Sequence, residues 1–338
     1  MNLRRIALLA LLLVPGVGRL FAQPFQLPTA NRAVLDPDGG QERYFVGTVG
    51  KPWTSGRFGC VRTDGFQLHE GVDIRPLDRD RRGEPTDPAR CAAEGVVAYV
   101  NTKPSLSNYG NYVVVRHKVD QLEVFTLYAH LASVKAGIKA GTPMQPGDVL
   151  GVMGRTSNTR QRITTDRAHL HFEILLMANS RYAEWHRAAL KGTRNDHGDF
   201  NGRNLMGIDP VEVYRIQAKV GADYDLVRHL GGIPELCRVL LRQPNPDWVR
   251  RNRGAVRPNP KAERDGIAGW ELALGFNGVP LHATPRSRKE LEGSRRNALL
   301  TVNPAVAAAH PCGKIVVRRE ESWELTNKGS QLLELLSY

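Results

Sequence analysis

The sequence predicts a mainly β protein with hairpin-joined strands, followed by a smaller mixed α and β region. Three observations carry this. Short runs rich in Val, Ile, Leu, Tyr and Phe recur between turn residues from Trp53 to Tyr214, as strands require. No alternation of strand and helix patterns accompanies them, which disfavours a doubly wound parallel sheet. Downstream, Asn277-Gly278 stands between two apolar runs and suits a tight two-residue hairpin turn.

Residues 1–22 pair a positive start (Arg4, Arg5) with a short apolar run and the end Leu20-Phe21-Ala22. This is the pattern of a secretory signal peptide. An uncleaved anchor is the alternative, and the one expected route to membrane contact. Residues 23–49 read as an arm, with a turn at Asp36-Pro37-Asp38-Gly39-Gly40. That Asp cluster lacks the spacing of a calcium loop. Strands are expected at 96–100, at 111–116 and 122–128 (a hairpin joined by 117–121), at 149–153 and at 169–175. The polar, Arg-rich segments 78–90 and 155–168 read as loops over the sheet. A third loop, 177–203, is expected to hold a short helix around 182–190. Gly207-Ile208-Asp209-Pro210 closes this unit. Residues 211–241 read as helical in parts and 243–264 as a linker or long loop. Residues 270–276 and 279–283 read as a hairpin, and 314–318 and 322–326 as further strands. The expected division is a signal at 1–22, an arm at 23–49, a β-rich domain at 50–215 and a mixed region at 216–338.

The 338 residues, 41% hydrophobic and 24% charged, suit a soluble globular protein with room for two domains. Formal net charge is +13, about +10 once the signal's arginines are removed. In an exported chain the acidic partner of such a surface is an envelope polymer rather than nucleic acid. A basic surface that gives only solubility is the competing reading. Cys60, Cys91, Cys237 and Cys312 contain no C-x-x-C pair, which argues against a thiolate zinc site or a redox motif. In an oxidising compartment they allow two disulfides and three pairings. Cys60 with Cys91 and Cys237 with Cys312 is the favoured pairing, since each pair falls within one proposed domain.

The chemistry lies in two strings, LHEGVDI (68–74) and AHLHFEI (168–174). Imidazole and carboxylate are the ligands zinc takes when no thiolate is present. In the second string Leu170, Phe172 and Ile174 alternate with His169, His171 and Glu173. That period puts one set toward a core and both histidines on the other face. Residues two apart on a strand lie about 6.6 Å apart, so one His can hold a metal while its neighbour reaches a water on it. Taken singly, each residue has a plainer reading. His69 and Asp73 are a surface hydrogen-bonded pair, His130 ends a strand, and His169 and His171 are exposed polar positions. Glu173 either orients a ligand histidine or is an exposed strand carboxylate. His117 reads as structural, and His186, His197, His229, His282 and His310 match no ligand spacing.

The sequence resembles the lysostaphin/LytM-type zinc metallopeptidases from about residue 55 to 214. The matching strings are SGRFG (55–59), HEGVD (69–73), GVV (95–97), YGNYVVVRH (109–117), TLYAHL (126–131), GDVLGVMG (147–154), HLHFE (169–173) and GIDP (207–210), in the family's order. The resemblance implies an antiparallel LytM-type sheet groove holding one zinc ion. It implies zinc on His69, Asp73 and His171, with His130 and His169 flanking the open coordination position as proton acceptor and oxyanion donor. Asn111 and Tyr112 are similar to family residues near the groove, and strand packing explains them equally well. The chain departs from the family in its longer cationic 155–168 segment, which lacks a Gly-Pro, in the extra residues 78–87, and in an insertion before Gly207. All three are expected to border the groove.

The resemblance implies an exported enzyme, periplasmic or extracellular: a zinc endopeptidase hydrolysing peptidoglycan stems or cross-bridges through an activated water. Two other readings are a non-catalytic envelope scaffold that activates another wall hydrolase, and an exported protease acting on proteins.

Overall fold

The computed structural model describes residues 24–160, 162–293 and 296–338; the expected signal peptide lies outside the described residues. The strands begin with β1 (Gly59–Arg62), β2 (Gln67–His69), β3 (Val72–Ile74), β4 (Pro88–Arg90), β5 (Gly95–Asn101), β6 (Tyr112–Val119) and β7 (Leu122–Ala129). They continue with β8 (Ser133–Val134), β9 (Pro143–Met144), β10 (Val149–Val152), β11 (Leu170–Met177) and β12 (Leu205–Ile208). The helices of this part are α1 (Gln41–Tyr44), α2 (Tyr182–Ala189) and α3 (Pro210–Val220). Among the described residues every strand pair is antiparallel. The expected mainly β, antiparallel class is the observed one.

A seven-stranded sheet dominates, in the order β12-β11-β7-β6-β5-β9, with β3 also paired to β11. β-branched residues concentrate in β6 (YVVVRHKV), where they pack well on a pleated surface. The β6–β7 hairpin closes through Asp120 and Gln121, whose φ values of 48° and 61° suit a two-residue loop with left-handed residues. β6 thus runs to Val119, three residues beyond the expected end. The alternation of β11 divides its faces, but both are buried. Leu170, Phe172, Ile174 and Leu176 enter the main core, while Leu175 and Met177 join a second cluster with Tyr112, Phe125 and Leu127. His169, His171 and Glu173 share that second face and are buried too, so the expectation of exposed polar positions fails. Gly71, between β2 and β3, crosses β11 closely. A Cβ there would stand 2.3 Å from the Phe172 carbonyl oxygen.

The last third adds α4 (Leu226–Gly232), β13 (Cys237–Leu241), α5 (Asp247–Arg251), α6 (Pro260–Asp265), β14 (Ile267–Leu274), β15 (Pro280–Ser287), β16 (Ala298–Val302), α7 (Pro304–Ala309), β17 (Val316–Arg319), β18 (Ser322–Leu325) and α8 (Asn327–Ser337). Strands β15-β14-β13-β16 form a second sheet. Both sheets contribute buried apolar side chains to one continuous cluster, from Phe25 to Leu336. Among the described residues no helix is long and apolar enough to cross a membrane.

Several expectations are corrected. The helical reading of 211–241 ends in a strand, β13, because Val239, Leu240 and Leu241 sit at the centre of the second sheet. The segment 243–264 is not a linker: it carries α5 and α6 and buries Trp248 completely. The hairpin of β14 and β15 closes through residues 275–279, a longer loop than the expected Asn277-Gly278 turn, with Leu274 opposite Pro280. The cysteine pairing is also different. Cys60 bonds Cys312, while Cys91 and Cys237 are free and buried. The reasoning from domain membership failed because β1 packs against the C-terminal part, where Phe58 meets Phe276 edge to face.

Two tests follow from this packing. Cys312→Ser is expected to lower unfolding stability by about 2–4 kcal/mol in an oxidising buffer, read by denaturant titration. Loss of the bridge must not shift the midpoint of protein held under reductant. Gly71→Ala forces a methyl against backbone and is expected to cost about 1–3 kcal/mol by the same measurement.

Candidate metal centre and groove

Register brings the polar residues together. On β11, His171 stands opposite Asp73 of β3 on one side and Ala129 of β7 on the other. β7 ends there, and His130 follows with φ of 60°. A bulky residue is rare in that left-handed region, and such strain concentrates at functional sites. Its amide donates to the Tyr109 carbonyl at 2.8 Å, which holds the bend. Short strands on two hairpins and one central strand therefore deliver side chains from residues 69 to 171 to one point.

His69, Asp73 and His171 offer ligand atoms within 4.8 Å of one another. Nε2 of His69 lies 3.1 Å from Nδ1 of His171 and 3.2 Å from Oδ1 of Asp73. His171 Nδ1 lies 2.9 Å from the same oxygen. A tetrahedral ion with bonds of about 2.0–2.1 Å has ligand–ligand edges of about 3.3 Å, so this triangle fits zinc with a slight opening. His169 Nε2 approaches Asp73 Oδ1 at 3.3 Å. The ring centroids of His130 and His169 are 4.9 Å apart, and those of His130 and His171 5.8 Å. All five candidates are thus brought together and buried.

The ring tautomers suit ligation. His69 Nδ1–H donates to the Arg57 carbonyl at 2.7 Å, so its lone pair is on Nε2, which Arg62 Nη2 approaches to 2.9 Å. His171 does the reverse: Nε2–H donates to Glu173 Oε1 at 2.6 Å, leaving Nδ1. Outer contacts of this kind fix ligand orientation in metal sites. His130 and His169 donate Nδ1–H to the carbonyls of Thr156 (2.8 Å) and Arg167 (2.6 Å), so each presents Nε2 as an acceptor. Glu173, open between two readings from sequence, is the partner of His171 and 1% exposed.

Electrostatics favour the neutral rings of His69 and His130 and the charged ring of His171. Burial pushes the His69 imidazole down to about 4, against the opposing pull of Asp73. Burial, with His169 and His171 nearby, holds His130 well below its ordinary value. Burial alone would raise the Asp73 carboxyl, but His169, His69 and Arg62 outweigh it and hold the group well below the usual carboxylate range. Burial alone would likewise depress His171, yet its bonds to Asp73 and Glu173 carry it up to about 9.

The cluster opens into a groove of about 1460 Å³. Segment 155–168 lines it through Ser157, Asn158 and Arg167, and the third loop through Phe200 and Arg203. Residues 78–87, expected at the rim, are absent from the lining. Instead Glu84 pairs with Arg155, and Arg79 donates to the Thr165 carbonyl at 2.6 Å, so this insertion props the 155–168 loop. Asn111 braces the same bend, donating to the Leu131 carbonyl at 3.1 Å. Tyr112 is buried against Tyr99 and Tyr109, and the Tyr109 ring lies 5.5 Å from that of His171. His117 is structural, bonded to Glu94 and Thr126. His197 reaches the groove lining and contacts Tyr99 Oη at 3.0 Å. Arg62, on β1, touches both His69 and Asp73 and went unnoticed in the sequence. The β1–β2 hairpin sets Arg62 opposite Gln67, two residues from His69.

Residues 67–183 match Peptidase family M23. No curated protein matches the chain. Among solved structures it is similar to LytM from Ruminococcus gnavus, at 24% identity over 45% of this chain and 47% of that one, with a TM-score of 0.29. It is similar to the catalytic domain of the antimicrobial peptidase lysostaphin from Staphylococcus simulans, at 20% over 36% and 74%, with a TM-score of 0.26. A variant catalytic domain of the prophage-encoded M23 protein EnpA from Enterococcus faecalis gives 19% over 35% and 75%, with a TM-score of 0.26. The chain spans less than half of the LytM chain. The matched residues 67–183 contain His69, Asp73, His130, His169 and His171, so the similarity to Peptidase family M23 covers the whole candidate centre.

Proposed function

We propose that this chain is an exported zinc endopeptidase that cleaves peptide bonds in peptidoglycan stems or cross-bridges. The observation that carries the reading is the His69–Asp73–His171 triangle, whose edges match the ligand spacing that a zinc ion would take. When bound there, zinc supplies Lewis acidity and water activation. The chain's own residues do the rest. His171 is held by Glu173, and His69 by the Arg57 carbonyl, so neither ligand rotates. His169 and His130 present Nε2 acceptors on the open side. One takes the proton of the attacking water at Nε2 and returns it to the leaving amine. The other ring, when it carries a proton at Nε2, donates to the negative charge on the carbonyl oxygen. The groove beside them, walled by Tyr109 and Phe200, holds an extended peptide. The signal-like residues 1–22 and the basic surface support export and an acidic envelope polymer as substrate.

Incubation of the mature protein with purified sacculi, followed by mass spectrometry of muropeptides, tests the reading. Zinc-dependent loss of cross-links or shortened stems is expected. Unchanged muropeptides with stoichiometric zinc bound favour the scaffold reading or a protein substrate. Chelation is expected to abolish cleavage, and added zinc to restore it. His171→Ala should lose zinc and turnover together. His169→Ala should retain zinc by elemental analysis while kcat falls by about 10²–10⁴-fold; joint loss of metal would mean that the roles of His169 and His171 are exchanged.

A further inference from the structure

Asp73 uses its two oxygens differently. Oδ1 faces the imidazoles of His69, His169 and His171. Oδ2 accepts from the Arg62 guanidinium, with Nη2 at 2.6 Å. Asp73 is 2% exposed and Arg62 27%, so this is a mostly desolvated, charge-assisted bond rather than a surface pair. The same Nη2 lies 2.9 Å from Nε2 of His69. Arg62 thus touches two of the three candidate ligands, and it lies outside the segment that matches the peptidase family.

The strand that carries Arg62 is fastened from elsewhere. Cys60, two residues before it, is bonded to Cys312, 252 residues along the chain. Phe58 packs on Phe276, which stacks in turn on His310. Asn277 donates to the Gly207 carbonyl of β12 at 2.7 Å. On its other side, Arg62 Nε reaches the Ser55 carbonyl at 3.4 Å. The C-terminal part therefore backs β1 and presses it toward the cluster.

We infer that Arg62 is a positioning residue of the metal centre, and that the C-terminal part sets its place through the Cys60–Cys312 bridge; the inference rests on the zinc reading above. By holding Oδ2, Arg62 stops the Asp73 carboxylate from turning and leaves Oδ1 as the single oxygen for the ion. Without it, a buried carboxylate loses its charge partner and its orientation. A guanidinium suits the task because its planar fork can bond the carboxylate and the Ser55 carbonyl at once, whereas an ammonium acts as a point charge.

The test is the zinc affinity of the full-length protein, measured with zinc alone in competition with a chromophoric chelator. Arg62→Gln is expected to raise the zinc Kd by about 10–100-fold. Arg62→Lys should fall between that value and the native one. Cys312→Ser should weaken zinc in the same direction by a smaller factor, and it should add little in the Arg62→Gln background, because both changes act through one contact. If Arg62→Gln does not fold, Arg62→Lys is decisive by itself: a native Kd overturns the inference. Equal or tighter binding by Arg62→Gln also overturns it, and makes Arg62 a bystander or a cation competing with the metal. Fully additive effects of the two substitutions overturn the part assigned to the bridge. Failure of the native protein to bind zinc sinks the zinc reading itself, a different outcome from native binding that Arg62→Gln leaves unchanged.

Discussion

The pairing of β11 between β3 and β7 is the constraint on which the rest depends. With His171 opposite Asp73 and Ala129, one strand position meets a carboxylate on one side and the end of a hairpin on the other. A slip of one residue would turn every β11 side chain to the opposite face. Leu170 and Phe172 would then occupy the site and His171 the core. The register is thus enforced by apolar burial, and the polar cluster is placed by forces that have nothing to do with its chemistry. Gly71 serves the same end, since only a residue without Cβ lets the β2–β3 connection lie against Phe172.

Burying Asp73 and Glu173 in such a place is costly unless each finds compensation. The structure distributes that compensation. Asp73 is met by three imidazoles and Arg62, and Glu173 by His171. Each imidazole is in turn tied at one nitrogen to a carbonyl or a carboxylate. The ordering energy of the site is met within the fold, before any substrate arrives. Preorganisation of this kind separates a reactive centre from a chance gathering of polar groups.

The C-terminal part enters this picture as scaffolding. It shares the apolar core with the peptidase-like sheet, contributes Asn277, Lys328 and Leu332 to the groove lining, and reaches β1 through a covalent bridge. The insertion 78–87 plays a similar supporting part on the far side, bracing the 155–168 loop through Glu84 and Arg79. Loop lengths that look like departures from a family pattern therefore have structural work to do around the groove.

What the sequence determined by itself was local. The alternation in HLHFE, the spacing in HEGVD and the β-branched runs of β6 and β7 follow from the period of two of an extended chain, which neighbouring residues reveal. The five polar residues were legible as a set through the resemblance of their strings to one family, and the 182–190 helix and the existence of the β14–β15 hairpin through local pattern. Only the tertiary structure decided the partners. Cys60 joins Cys312 rather than Cys91, Arg62 meets Asp73, Glu173 turns from a solvent-facing candidate into the holder of His171, and 243–264 folds around Trp248. These outcomes depend on which distant segments exclude water from one another, and that free energy is spread over the whole core rather than written in any short window of residues.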